Sequence, residues 1–356
     1  MPEARGTVIH SARLVDGGAV HADAWVRFER EHVAAVGTGD SWRSAGHQHS
    51  DDTIVDASGH WLTPGFVDIH GHGGGGVSYD DGAEQILTAR ALHRAHGTTR
   101  AVISLVTAPL DALATRVALI AELCAAHPDI LGSHLEGPFL DPGHKGAHDA
   151  SQLREPDEAA VALLIEAASG TLRQVTIAPE LPGGMAAVAQ LRAAGVVPAI
   201  GHTDADFGGA QAAINAGAGL LTHAFNAMRG LHHRDPGPVA AATHDPRLVL
   251  EIIADGVHVH PEVVRMVFAA APGRVALVTD AMAAAGASDG HYDLGSLGVD
   301  VVDGVARLSD GGAIAGSTLT QDAALRWCVE TVGIDVASAV TALTETPARA
   351  VGRGDD

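Results

Sequence analysis

Over the first 61 residues apolar and polar positions alternate in short runs, "TVIHSARLV", "AWVRFE", "HVAAVG" and "TIVDAS", separated by Gly, Asp and Ser. That period of two belongs to strands buried on one face. From residue 62 the rhythm changes. Apolar runs at 66–70, 99–106, 130–135, 175–178, 196–200, 219–224, 248–254 and 274–279 read as strands. Ala/Leu-rich segments between them, at 109–126, 156–168, 184–194, 206–217 and 260–270, carry helical spacing. Eight strands alternating with helices is the count that a (β/α)8 barrel requires. The text turns β-like again over 286–313 ("YDLG", "GVDVVDGVARLS"), and a helical tail runs from about 317 to 350. The pattern therefore predicts an α/β chain with a TIM-type barrel over 62–285. Residues 1–61 and 286–313 are expected to pair into a small β-sandwich-like domain, with 314–356 as a helical segment on the barrel.

Composition narrows the function classes. A net charge of −21 argues against nucleic acid or an anionic membrane surface as partner, because both need a basic face. Cys124 and Cys328 lie far apart with neither metal-ligand nor redox spacing, so both are read as packing residues. No apolar run has the length of a signal-peptide core or a membrane span, and the expected location is the cytoplasm.

The candidate chemistry sits at the strand ends, where barrel active sites form. The first strand ends in "DIHGHGGGG", and its period of two sends His70 and His72 to one face. The third ends at Glu136 ("SHLEGPF"), the fifth at His202 ("AIGHTD"), the sixth at His223 ("LTHAFNAM") and the eighth at Asp280 ("LVTDAM"). One histidine at a strand end is ordinary in a chain with 22 of them. Four imidazoles and two carboxylates spaced around one rim indicate a metal site, since both groups are standard zinc and iron ligands.

Two other motifs fail on context. "GHGGGG" (71–76) fits G-x-G-x-x-G, but the acidic residue expected about twenty positions later is missing from 85–110. The glycines are better explained by a tight loop that lets backbone approach closely. "GASDG" (286–290) fits G-x-S-x-G but lacks the strand–turn–helix setting of a nucleophile elbow.

His-x-His on strand one, His on strands five and six and Asp on strand eight resemble the amidohydrolase superfamily. More narrowly, "HLEGPF", "GAH", "IGHTDA", "THAFNAM", "DGVH", "VTDAM" and "IAGST" are similar in order and spacing to the N-acetylglucosamine-6-phosphate deacetylases, over about 60–349. Many binuclear amidohydrolases bridge their metals with a carboxylated lysine at a strand end. The only lysine here, Lys145, lies in the loop "PGHKGAH", which leaves Glu136 as the available bridge.

The resemblance implies removal of acetate from N-acetylglucosamine 6-phosphate, in amino-sugar catabolism and cell-wall recycling. One or two divalent metals, Zn2+ or Fe2+, are implied: Glu136, His202 and His223 would hold one, and His70 and His72, with Glu136 bridging and Asp280 nearby, a second. Asp280 would be the general base and then the acid. Carried over residue by residue, the substrate contacts are Ala147, His148, Asn226, Ala227, Arg234, His258, Ile314, Ala315 and Gly316. Arg234 matches the phosphate arginine, and His258 a histidine that reaches the neighbouring subunit's site in a homodimer. Family members usually continue beyond "VGRGDD" with a further β segment, so either the sequence is cut short or the small domain is trimmed. Two other readings stay open: a deacetylase of another N-acetyl amino sugar or N-acyl amino acid, and a non-catalytic metal-binding relative.

Overall fold

Eight parallel strands form one continuous row in the computed structural model, which describes residues 6–44 and 51–354. In chain order they are Phe66–Asp68, Thr98–Val106, Ile130–Glu136, Leu172–Ile177, Val197–Ile200, Leu220–Leu221, Val249–Ile253 and Val275–Val278. Each pairs with the next in sequence. The row closes without a ladder. The Asp280 N–H donates to the His70 carbonyl at 2.8 Å, and the Thr279 hydroxyl donates to Asp68 Oδ2 at 2.6 Å. Helices at Leu110–Ala126, Glu158–Ala167, Gly184–Ala193, Phe207–Ala216 and Pro261–Ala270 occupy the segments with helical spacing, and Ala83–Ala95 and Gly237–His244 add two more. This is a TIM-type barrel.

The glycine run after strand one completes the closure. The N–H groups of His72 and Gly73 both donate to the Ala281 carbonyl, at 2.7 and 2.9 Å, while Gly75 and Gly76 donate to Ala285 and Ala283. Strand one is thereby stitched to the chain leaving strand eight. A Cβ on Gly73 would lie 2.4 Å from the Val77 carbonyl oxygen, so only glycine fits there.

The barrel interior carries a polar layer. His134 sits between Ser104 Oγ and Thr176 Oγ1, each at 2.8 Å, and Thr176 meets Thr222 at 2.9 Å. Burial, reinforced by neighbouring His70, holds the His134 pKa well below the ordinary histidine value, so this ring is neutral.

The N-terminal residues form a separate unit, which takes in 335–341. Gly6–Asp16, Ala19–Glu29 and His32–Thr38 make an antiparallel meander, and Thr53–Asp56 and Trp61–Leu62 pair in parallel with the first strand. Val8, Trp25 and Trp42 pack on one face of this sheet, and Leu14, Ala24 and Val26 form a second cluster.

The expected partnership of 286–313 with this sheet is corrected. Among the described residues, Gly290–Leu294, Leu297–Val302 and Val305–Leu308 pair with one another as an antiparallel meander, with one further bridge from Arg307 to Ile314, and belong to the barrel unit. Their inward residues Leu294, Val299, Val301 and Ala306 cluster with Val106 and Met282 of the barrel. Alternation records that one face is buried, not which surface buries it. Of "VGRGDD", Asp355 and Asp356 lie outside the described residues.

Candidate active site and metal centre

His202, His223 and Asp280 each stand two residues beyond the end of their strand, and all three have positive φ: 48°, 25° and 47°. Left-handed backbone is costly for residues other than glycine, so such strain clusters at functional sites. The residue before each is small or hydroxylic and buried: Gly201, Thr222 and Thr279. A Cβ on Gly201 would approach the Thr222 Cβ to 2.7 Å.

These turns, with His70, His72 and Glu136, bring six ligand-type side chains together, all of them buried. His202 Nε2 and His223 Nε2 each lie 3.0 Å from Glu136 Oε1 and 3.0 Å from each other. His72 Nε2 lies 3.1 Å from Glu136 Oε2, 3.3 Å from Asp280 Oδ1 and 3.2 Å from His70 Nε2. His70 Nε2 is 3.5 Å from Glu136 Oε1 and 3.6 Å from Asp280 Oδ1. Glu136 thus touches both pairs of imidazoles.

The donor set fits divalent metal. His70 Nδ1 faces the Glu251 carboxylate at 3.0 Å and His202 Nδ1 faces the His144 carbonyl at 2.9 Å. Both partners accept, so each Nδ1 carries a hydrogen and each ring turns its Nε2 into the cluster, where a metal would take the lone pair in place of any proton. Imidazole nitrogens and carboxylate oxygens converging at a buried point call for a cation. His148 differs. Its Nδ1 accepts from the Thr107 N–H at 3.4 Å, which leaves the hydrogen on Nε2, 3.3 Å from Glu136 Oε2. Its ligand atom groups with those of Glu136 and His202, but it is a donor rather than a ligand.

The electrostatics agree. Burial opposes charge on His72, yet Asp280 and Glu136 outweigh it and lift its pKa to about 9. His70 moves well above the ordinary value against the same burial, through Glu136 and Asp280. His202 goes the other way: burial dominates and takes it down to about 4. Burial also opposes ionisation of Asp280, but His70 and His72 prevail and hold its carboxyl below the usual range.

Above the cluster opens a cavity of about 380 Å³, of ordinary size for a small-molecule site. Ala147, His148, Asn226 and Ala227 line it, as do His258, Ile314 and Gly316. Phe225 and Ala227 have φ of 80° and 48°, and Asn226 Nδ2 donates to the His223 carbonyl at 3.2 Å, so the turn after strand six is held by its own side chain.

Three of the expected substrate contacts stand apart from the others. Ala315 is fully buried in the cluster of Val106, Met282 and Leu294 and does not line the cavity. Arg234 is exposed, with its guanidinium 2.6 Å from His233 Nε2, and is not a wall of its own chain's cavity. His258 lines the cavity of its own chain, with its Nδ1 2.6 Å from Asp255 Oδ2.

Other residues escaped the motif reading. Glu251, on strand seven, is fully buried and meets His70. Its signal was an acid inside the apolar run "LVLEIIA". Leu294, from the meander, and His144, before Lys145, also line the cavity. Neither stands out in sequence.

Comparison with known proteins accords with this geometry. The amidohydrolase family profile matches residues 61–356. This chain belongs to the amidohydrolase family. It is a hydrolase, and its relatives within the family are amino-sugar phosphate deacetylases. The N-acetylgalactosamine-6-phosphate deacetylase of Escherichia coli O157:H7 is 40% identical over 304 residues, covering 84% of this amidohydrolase and 80% of the relative. The N-acetylglucosamine-6-phosphate deacetylase of Vibrio furnissii is 37% identical, covering 82% and 74%. Among solved structures, a mutant N-acetyl-D-glucosamine-6-phosphate deacetylase from Mycobacterium smegmatis, in complex with N-acetyl-D-glucosamine-6-phosphate, superposes with a TM-score of 0.91 at 41% identity, over 98% of this chain and 91% of that one.

Proposed function

We propose that this amidohydrolase removes the acetyl group from N-acetyl-D-glucosamine 6-phosphate, giving D-glucosamine 6-phosphate and acetate, as a cytoplasmic homodimer. The carrying observation is the placement of Asp280 against both strand-one histidines at the floor of a cavity lined by His148, Asn226 and His258. The names of the Vibrio furnissii and Mycobacterium smegmatis proteins support the substrate. No described helix is long and apolar enough to cross a membrane.

Glu136, His202 and His223 would hold one divalent metal, Zn2+ or Fe2+, and His70 and His72, with Glu136 shared and Asp280 beside them, a second. Bound there, such an ion polarises a carbonyl as a Lewis acid and brings the pKa of a water toward about 7. Asp280, ionised and buried, takes the proton from the water whose oxygen adds to the acetamido carbon. His148 Nε2–H donates to the carbonyl oxygen as negative charge grows there, in the tautomer that the Thr107 N–H imposes. When the C–N bond breaks, Asp280 passes its proton to the amine nitrogen, which leaves neutral. Asp255 accepts from His258 Nδ1 and fixes that ring against the sugar.

The phosphate needs a cation. Arg234, exposed on the 229–235 loop and outside the lining of its own chain's cavity, would reach across a dimer interface into a second copy.

A second reading, the 4-epimer N-acetylgalactosamine 6-phosphate, is favoured by the 40% identity to the Escherichia coli enzyme. The test is acetate release with metal analysis on both sugar phosphates and on unphosphorylated N-acetylglucosamine. Turnover confined to the glucosamine phosphate supports the first reading, and faster turnover of its epimer the second. Two metals per chain without turnover on any of the three would refute both.

A further inference from the structure

The carboxylate of Glu251 lies inside the barrel on strand seven, fully buried, where an apolar residue would pack without cost. Oε2 is 3.0 Å from His70 Nδ1 and accepts from the His223 backbone N–H at 3.3 Å. Oε1 accepts from Gln174 Nε2 at 3.3 Å, and the same nitrogen reaches the Ile69 carbonyl at 3.0 Å. These partners are N–H donors, with no arginine or lysine among them. A buried carboxylate without a cationic partner is expensive. The compensating charge must therefore arrive through His70, the imidazole between Glu251 and the ligand cluster.

We infer that Glu251 is the positioning residue for the metal position at His70 and His72. It holds the hydrogen of His70 on Nδ1, aims Nε2 at the cluster and raises the donor strength of the ring. A carboxylate behind a ligating histidine changes metal affinity by about 10–100-fold in known sites. At His223 the contact is with backbone only, so the ring of that ligand is not electronically coupled to Glu251. The residue thus favours loading of the strand-one position over the position formed by Glu136, His202 and His223. The inference rests on the two-metal reading above.

The test compares wild type, Glu251→Gln and Glu251→Asp, each stripped of metal and titrated with Zn2+ against a competing chelator, with thermal melts of the metal-free forms. Wild type is expected to take up two ions. Glu251→Gln, which keeps the volume but loses the charge, should bind the second ion about 10–100-fold more weakly, with the first unchanged. Glu251→Asp keeps the charge but falls short of His70 by one methylene, and should lie between the two. In a His70→Asn background, which removes the coupled ring, Glu251→Gln should have no further effect on the ion that remains.

Two unweakened ions in Glu251→Gln would overturn the inference and leave the two-metal reading intact. So would equal weakening of both ions, since Glu251 would then act on the whole barrel rather than through His70. Fewer than two ions in wild type would overturn the two-metal reading itself, and the inference with it.

Discussion

In the metal-free protein, protons occupy part of the space in which a metal would bind, and the two metal positions differ in how tightly they hold them. His72 lies 3.1 Å from Glu136 and 3.3 Å from Asp280; burial works against its charge, but those carboxylates bring its pKa to about 9. His70 is displaced in the same direction. His202 is pulled down by burial to about 4 and carries no extra proton near neutrality. A metal at the strand-one pair must therefore expel a proton from His72 and another from His70, whereas one at His202 expels none from that ring. The sign follows: below about pH 9, acid weakens strand-one loading by about tenfold per pH unit for each proton displaced. Between pH 8.5 and 6.5 this amounts to about 100-fold from His72 alone, and His70 steepens it. Calorimetric titration of metal-free protein with Zn2+, repeated from pH 5.5 to 8.5 in buffers of different ionisation enthalpy, counts the protons released in each step. The strand-one step should be steeply pH-dependent and release protons, and the other should be the shallower of the two. Equal slopes, or a strand-one step that releases no proton, would refute the reasoning.

Asp280→Asn keeps the shape but cannot take a proton, and kcat should fall by about 10²–10⁴-fold with KM changed far less; retention of more than a tenth of wild-type kcat would remove it from the mechanism. Arg234→Ala should raise KM for the phosphorylated sugar by about 10–100-fold, the value of a charge-assisted hydrogen bond, and leave the unphosphorylated sugar unaffected. Mixing Arg234→Ala with Asp280→Asn subunits should restore turnover in hybrid dimers, and no restoration would mean that Arg234 does not act across an interface. Gly73→Ala places a Cβ 2.4 Å from the Val77 oxygen and 3.2 Å from the Ala283 nitrogen, at the seam between strands one and eight. It should cost about 1–3 kcal/mol in chemical denaturation and lower the metal content, and an unchanged midpoint would contradict the stitching role of the glycine loop.

The linear chain carried much of this protein by itself. Hydrophobic period and run length are local properties, and they located the eight barrel strands and five of the helices between them, because a strand buried on both faces is apolar throughout and a covering helix repeats every third or fourth residue. Strand ends of a barrel share one rim, so His70, His72, Glu136, His202, His223 and Asp280 could be assigned to one place before any coordinates existed.

What needed the tertiary structure depended on partners distant in sequence. Nothing local says that His202, His223 and Asp280 turn inward on positive φ, since that strain is sustained by packing around Gly201, Thr222 and Thr279. The meander over 290–308 alternates just as the N-terminal strands do, and only its docking on Val106 and Met282 shows which core it serves. His258 lines the cavity and Arg234 lies exposed outside its lining, because a motif records residue type and spacing but not which cavity a loop faces. Glu251 passed as an interruption in an apolar strand until the closed barrel set it against His70, 181 positions away. Period and spacing are properties of the chain alone; how a buried charge is compensated depends on the groups that folding brings beside it.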